Sequence, residues 1–173
     1  AKRENAQLVL GTDPDADRLG ALVRHNDEFI MLTGNQIGVL LCDYILSARK
    51  EAGTLRPDGF VVKSIVSTNM VSPICEEYGI ELIDVLTGFK YIGQQVDLLE
   101  DKGGRKFFFG FEESYGYLGA SYARDKDAVY ASMMVSDMAL HYYKQGKDLI
   151  DVLEGLYAKH GYYGEKTIGL SLD

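Results

Sequence analysis

The sequence predicts an α/β fold: a mostly parallel sheet with flanking helices, preceded by a short strand-loop-strand segment. Two observations carry this. Apolar runs at Phe60 to Val66, Glu81 to Leu86 and Lys106 to Phe111 alternate with stretches whose apolar residues recur at helical spacing. Strands alternating with helices of this length build right-handed βαβ units and a largely parallel sheet. The second observation is size, since 173 residues at 46% apolar supply one packed core of ordinary dimensions.

Leu8 to Leu10 and Leu19 to Val23 read as strands flanking an acidic loop. His25-Asn26-Asp27-Glu28 is a turn into a third strand, Phe29 to Leu32. Thr33-Gly34-Asn35-Gln36 has the form of a capping box, and Ile37, Leu40, Leu41, Tyr44 and Ile45 follow on one helical face until Gly53 and Pro57. After the strand at Phe60, Thr68 or Asn69 is expected to cap a helix bearing Val71, Ile74, Cys75 and Tyr78, with Gly79 ending it. A helix with Ile92, Val96 and Leu99 should run to Gly103-Gly104, and a loop from Glu112 to Arg124 should precede a long helix from about Asp127 to Gln145. Asp148 opens the last helix, with Leu149, Val152, Leu153 and Leu156 on one face and Gly161 beyond it.

Composition narrows the partners. A net charge of −8 argues against a nucleic-acid surface and leaves room for a metal or for phosphate chemistry on local basic residues. No apolar run approaches the ~20 residues of a membrane span, so no membrane partner is expected. The polar start shows no charged-then-apolar leader, which points to a cytoplasmic protein. In that compartment Cys42 and Cys75 are expected to be buried free thiols. His25, His141 and His160 stand singly and are expected to be structural or surface residues.

The densest chemistry lies in Gly11-Thr12-Asp13-Pro14-Asp15-Ala16-Asp17-Arg18. Carboxylates on alternate residues of an extended backbone share a side, and their repulsion is relieved by a hard divalent cation. A calcium EF-hand loop beginning at Asp13 needs Gly and Glu where Arg18 and Arg24 stand, so that reading fails. A dehalogenase-type nucleophile loop wants Thr or Val where Asp17 stands. The bland alternative is a solvated acidic turn.

In parallel α/β folds ligands sit beyond the carboxyl ends of the strands. The loops there are Ser67-Asn69, Thr87-Lys90 and Glu112-Arg124. Glu112 and Ser114 place a carboxylate and a hydroxyl two residues apart, suited to a ligand with neighbouring hydroxyls, and Gly110 and Gly116 permit close backbone approach. Arg124-Asp125-Lys126-Asp127 puts cations at a helix start, an anion site or simply a solvated cap. Lys90 is a second phosphate contact or a plain exposed lysine.

These residues carry a resemblance. Asp13-Pro14-Asp15-Ala16-Asp17-Arg18 resembles the magnesium loop of the α-D-phosphohexomutases, the bacterial phosphoglucomutase and phosphomannomutase group. Gly110-Phe111-Glu112-Glu113-Ser114-Tyr115-Gly116 is similar to their sugar-recognition loop, and Thr87-Gly88-Phe89-Lys90 and Arg124-Asp125-Lys126-Asp127 are similar to two more loops in the same order. The resemblance implies a four-domain enzyme that interconverts hexose 1-phosphate and hexose 6-phosphate through a phosphoserine and a hexose 1,6-bisphosphate. It implies that Asp13, Asp15 and Asp17 hold Mg²⁺, with Arg18 assisting. Thr87, Gly88, Phe89, Lys90, Glu112, Ser114, Arg124 and Lys126 would bind the substrate, Lys126 also assisting proton transfer.

The match also departs from the family. Neither a Ser-His-Asn-Pro type phosphoserine loop nor a Ser-Gly-Thr type phosphate loop occurs in the 173 residues. The expectation is therefore a piece lacking its nucleophile and inactive alone, with the missing domains of the same polypeptide as partners. Residues 1–32 would be the end of the second domain with its metal loop, 33–161 the sugar-binding third domain, and 162–173 a link toward the fourth. Glucose is the first expectation for the sugar, with mannose or a pentose phosphate next. A dehalogenase-type phosphohydrolase and a non-catalytic sugar-phosphate module stand behind these.

Overall fold

The computed structural model describes residues 1–165. Most of the segment expected to lead onward, 162–173, thus lies outside the described residues. A single 3-10 turn, Lys2–Glu4, leads to β1 (Leu8–Thr12), β2 (Leu19–His25) and β3 (Glu28–Leu32). They form an antiparallel sheet in the order β1-β2-β3. A second sheet, in the order β5-β4-β6-β7, uses β4 (Gly59–Ser64), β5 (Glu81–Val85), β6 (Lys106–Glu112) and β7 (Gly116–Leu118). Within it β4 is parallel to both β5 and β6, and only the edge strand β7 is antiparallel. The predicted α/β class with a mostly parallel sheet is what forms.

Helices cover both faces of this sheet. On one side lie α1 (Gly34–Glu51), α2 (Val71–Tyr78), α4 (Ala128–Tyr143) and α5 (Leu149–His160). Their buried residues share a single core with Val61, Phe109, Phe111 and Tyr117 of the sheet and with Leu19, Ala21, Val23 and Leu32 of the first sheet. On the other side α3 (Phe89–Gln95) packs Phe89 and Ile92 against Phe60, Val62, Phe107 and Leu118. Three helices start as their sequences dictate. Thr33 and Gln36 form the full capping box of α1, Asp127 accepts from the Val129 and Tyr130 amides, and Asp148 forms a box with Asp151.

Several boundaries differ from expectation, each for a local reason. The strand expected to reach Val66 stops at Ser64, because the Ser67 amide turns back onto the Ser64 carbonyl at 3.0 Å. Thr68 does not cap α2; its hydroxyl accepts from the Met70 amide at 3.1 Å and shapes the turn before the helix. The helix expected to continue past Val96 widens into a π-turn, Val96–Asp101, where the Lys102 amide reaches back to the Asp97 carbonyl at 3.3 Å. The loop expected from Glu112 contains β7. Cys42 and Cys75 are buried free thiols with their sulfurs 4.0 Å apart, and this contact with complete burial pushes the Cys42 thiol well up. Among the described residues no helix is long and apolar enough to cross a membrane.

Candidate active site

The site is built where the two sheets meet, at the carboxyl ends of β5, β4 and β6. Between β1 and β2 the chain makes a tight turn, not the extended run that alternation suggested. Ala16 adopts φ 56°, and the Ala16 amide donates to the Asp13 carbonyl at 3.1 Å. Asp13 Oδ1 accepts from the amides of Asp17 and Arg18 at 3.1 and 3.0 Å. The Arg18 amide, with further hydrogen bonds from the Asp17 side, holds the Asp13 carboxyl below the usual carboxylate range. The turn gathers the triad: one oxygen each from Asp13, Asp15 and Asp17 lie within 4.8 Å of one another. Among the described residues Asp17 Oδ1 is buried with no hydrogen-bond partner, and Arg18 Nε is 3.8 Å away. An oxygen-only donor set with an orphaned carboxylate oxygen fits a hard divalent cation.

Two backbone contacts pin this turn to the second sheet. The Leu19 amide donates to the Tyr115 carbonyl and the Ala128 amide to the Ala16 carbonyl, both at 3.1 Å. The first sets the turn beside the β6-β7 hairpin, and the second sets it against the start of α4. Lys126, just before α4, then reaches Asp17 Oδ2 at 2.8 Å and Asp125 at 3.2 Å, with its ammonium 5.9 Å above the Phe89 ring. Its stem crosses Gly116, where a Cβ would come within 2.8 Å of Lys126 Cδ. A side chain there would push on that stem, so glycine leaves the lysine its path. Those two carboxylates raise the Lys126 pKa despite the opposing effect of burial.

The hairpin itself is a three-residue loop, Glu113 to Tyr115, closed by the Glu112–Gly116 pair, with Tyr115 in the left-handed region at φ 68°. Glu112 is buried, and its Oε1 accepts from the Gly88 amide at 2.7 Å. Glu112 and the Thr87-Lys90 loop are thereby brought together. Thr87 and Lys90 are exposed, and Ser114, two residues after Glu112, is half-buried.

Not every expected residue faces the opening. Phe89 is buried in the α3-side core and serves as the floor beneath Lys126. Arg124 turns away: its guanidinium pairs with Asp97 and Asp101 of the π-turn and donates to the Ser121 carbonyl at 2.6 Å. Arg18 stays half-exposed at the rim. The sequence reading passed over a polar floor next door. Ser64 and Ser67 donate to Glu113 Oε2 at 3.1 and 3.3 Å, and the fully buried Lys63 pairs with Asp84 at 2.9 Å. A lysine inside the apolar run from Phe60 was the available signal.

The family model described as phosphoglucomutase/phosphomannomutase, alpha/beta/alpha domain III, matches residues 33–160. The chain belongs to the phosphoglucomutase/phosphomannomutase family. It is 36% identical over 172 residues to a phosphomannomutase of Mycoplasmoides pirum, covering 99% of this chain and 30% of that protein. It is also 36% identical over 174 residues to a phosphoglucomutase of Staphylococcus aureus, covering 100% of this chain and 30% of that one. This family member therefore spans about 30% of the length of the curated relatives it matches. In fold it resembles the Paramecium phosphoglucomutase parafusin, with a TM-score of 0.68, 22% identity and coverage of 90% of this chain and 25% of that one. An Aspergillus fumigatus N-acetylphosphoglucosamine mutase, crystallised with GlcNAc-6P and magnesium, gives a TM-score of 0.61, 15% identity and coverage of 88% and 33%.

Proposed function

We propose that this chain supplies the metal loop and the sugar-gripping loop of a phosphohexomutase whose full polypeptide interconverts hexose 1-phosphate and hexose 6-phosphate. The observation that carries the reading is the meeting of three groups at one rim: the Asp13/Asp15/Asp17 triad, the Lys126 ammonium bound to Asp17, and the buried Glu112 beside the Gly88 loop. The full reaction runs through a phosphoserine and a hexose 1,6-bisphosphate, with glucose as the preferred sugar. In the parent, residues 1–32 close the second domain, 33–161 form the third and 162–173 lead to the fourth. This chain brings no nucleophile of its own to that reaction and is inactive alone. Its place is the cytoplasm.

Phosphoryl transfer rests on positioning and charge stabilisation. Asp13, Asp15 and Asp17 would hold Mg²⁺, which would supply positive charge for the phosphoryl group, and Arg18 adds a half-exposed cation at the rim. Glu112, with one oxygen committed to the Gly88 amide, keeps acceptor capacity for sugar hydroxyls, and Ser114 offers a hydroxyl next to it. Thr87 to Lys90 frame the ring. Lys126, on its Phe89 floor, contacts the phosphate with its ammonium and assists proton transfer. Arg124 contributes by holding the loop before α4 against the π-turn.

The test is a coupled assay on the full-length parent with glucose 1-phosphate or mannose 1-phosphate, Mg²⁺ and a trace of hexose bisphosphate. The expected result is hexose 6-phosphate formation, faster with glucose, and lowered about a hundredfold by Glu112→Ala through loss of charged hydrogen bonds worth about 1.5–3 kcal/mol each. Release of free phosphate without isomerisation would overturn the reading in favour of a phosphohydrolase.

A further inference from the structure

Lys126 touches the metal triad from another element of the fold. Its ammonium lies 2.8 Å from Asp17 Oδ2, while the other oxygen of the same carboxylate is buried with no donor among the described residues. Asp17 is thus half-satisfied by a monovalent cation set where a divalent one has its ligands. The placement is enforced by the backbone. The Ala128 amide bonds to the Ala16 carbonyl, locking the start of α4 to the acidic turn, and Gly116 leaves the channel through which the lysine stem passes.

We propose that Lys126 acts as a tethered counter-ion competing with the divalent cation for Asp17, so that cation binding displaces its ammonium toward the sugar-phosphate side of the cleft. The inference rests on the metal-site reading above and adds a coupling to it. A divalent cation on one oxygen of Asp17 and an ammonium on the other repel each other across a few ångströms, so each weakens the hold of the other on that carboxylate. When the cation takes Asp17, the ammonium loses one of its two carboxylates and keeps Asp125, which is largely exposed at 70% of its side chain. The Phe89 face then remains as its other support at 5.9 Å. Metal and lysine are linked, and by reciprocity whatever draws the ammonium away tightens metal binding. A phosphate group on the substrate is such a partner, so substrate and metal should each favour the other through this side chain.

The linkage predicts a sign that a merely supporting lysine does not. If Lys126 only braced the turn, removing it would loosen the triad and weaken the cation. As a competitor, its removal strengthens cation binding. The experiment is calorimetric titration of the chain with Mg²⁺ alone, comparing the unaltered protein with Lys126→Met, Lys126→Arg and Asp15→Asn, each checked for folding by circular dichroism. Lys126→Met is expected to bind Mg²⁺ about tenfold more tightly, the order expected for removing a unit charge a few ångströms from a divalent ion in a half-solvated site. Lys126→Arg keeps the charge and should stay within about threefold of the unaltered protein. Asp15→Asn should abolish binding. Equal or weaker binding by a folded Lys126→Met, with Asp15→Asn still abolishing it, would overturn the competition while leaving the metal site in place. No Mg²⁺ binding by either the unaltered protein or Lys126→Met, or binding indifferent to Asp15→Asn, would overturn both.

Discussion

His25 ends β2 with Nδ1 2.8 Å from Asp148 Oδ2, so a carboxylate that already caps α5 also faces an imidazole. The hydrogen bond to Asp148 is the main cause that raises the His25 pKa, with Asp148, Asp151 and Glu154 adding charge attraction and desolvation opposing. The folded form therefore binds a proton more tightly than an unfolded chain, whose histidine titrates near 6.5. The sign follows: the stabilisation is complete below that value and is lost as pH rises through the elevated folded pKa. His25→Gln should consequently lower the melting temperature more at about pH 6 than at about pH 8.5. A pH-independent difference between the two proteins would show that the pair contributes no charge interaction. The same scale shows what of the site was legible. Asp13, Asp15, Asp17, Glu112 and Lys126 announce themselves because charged side chains in loops after apolar strands need a reason to be there. Arg124 resembles them in sequence, yet its fork is taken by Asp97 and Asp101, acids 23 and more residues earlier that only the π-turn brings close. Local pattern carries no information on a partner so distant.

At the scale of elements, α1 and α5 give opposite answers to one substitution. Gly155 lies exposed in α5, with nothing within 4 Å of where a Cβ would sit. Gly155→Ala should therefore stabilise by about 0.5–1 kcal/mol, through helix propensity and reduced freedom of the unfolded chain. Gly34 lies in the first turn of α1, and a Cβ there would fall 2.0 Å from the Glu113 carbonyl oxygen. Gly34→Ala should destabilise by about 1–3 kcal/mol, since the obstacle is backbone that cannot rotate aside. It should also weaken sugar binding by pushing on the hairpin that follows Glu112. Thermal melts of both variants decide the matter, and equal shifts of the same sign would contradict the close seating of α1 on the hairpin. Elements with strong caps and long apolar faces were readable, α1 above all. The irregularity in β6 was not. Phe60 pairs with Phe107 but Val61 with Phe109, so Phe108 is an extra residue in the strand. Beyond it Phe109 and Phe111 face the larger core, Gly110 meets Ile92 of α3, and Glu112 reaches the Gly88 amide on the α3 side. Without the bulge, alternation from Phe107 would turn Glu112 to the other face. A strand buried on both faces reads as a continuous apolar run, and such a run hides a change of register.

At the scale of the whole molecule, the two sheets behave as one body because they share a core and the site bridges them. Leu19, Ala21, Val23 and Leu32 of the first sheet pack in the same cluster as residues of α1, α4 and α5. The seam carries the Leu19–Tyr115 and Ala128–Ala16 backbone bonds, the His25–Asp148 pair and the Lys126–Asp17 pair. A three-stranded sheet with one such face has little independent stability once that face is exposed to water. Urea unfolding should accordingly be a single transition, with coincident midpoints for far-ultraviolet circular dichroism and for tyrosine fluorescence from the 12 tyrosines in a chain without tryptophan. The probes divide the molecule usefully, because the segment 1–32 contains no tyrosine and its loss reaches the fluorescence only through tyrosines packed against it, such as Tyr115 and Tyr117. An early circular-dichroism step accompanied by only a small part of the fluorescence change would mean that the first sheet melts alone. The acidic triad would then separate from Lys126 and Glu112 before the rest of the protein unfolds, and metal loop and sugar loop would be two devices rather than one site.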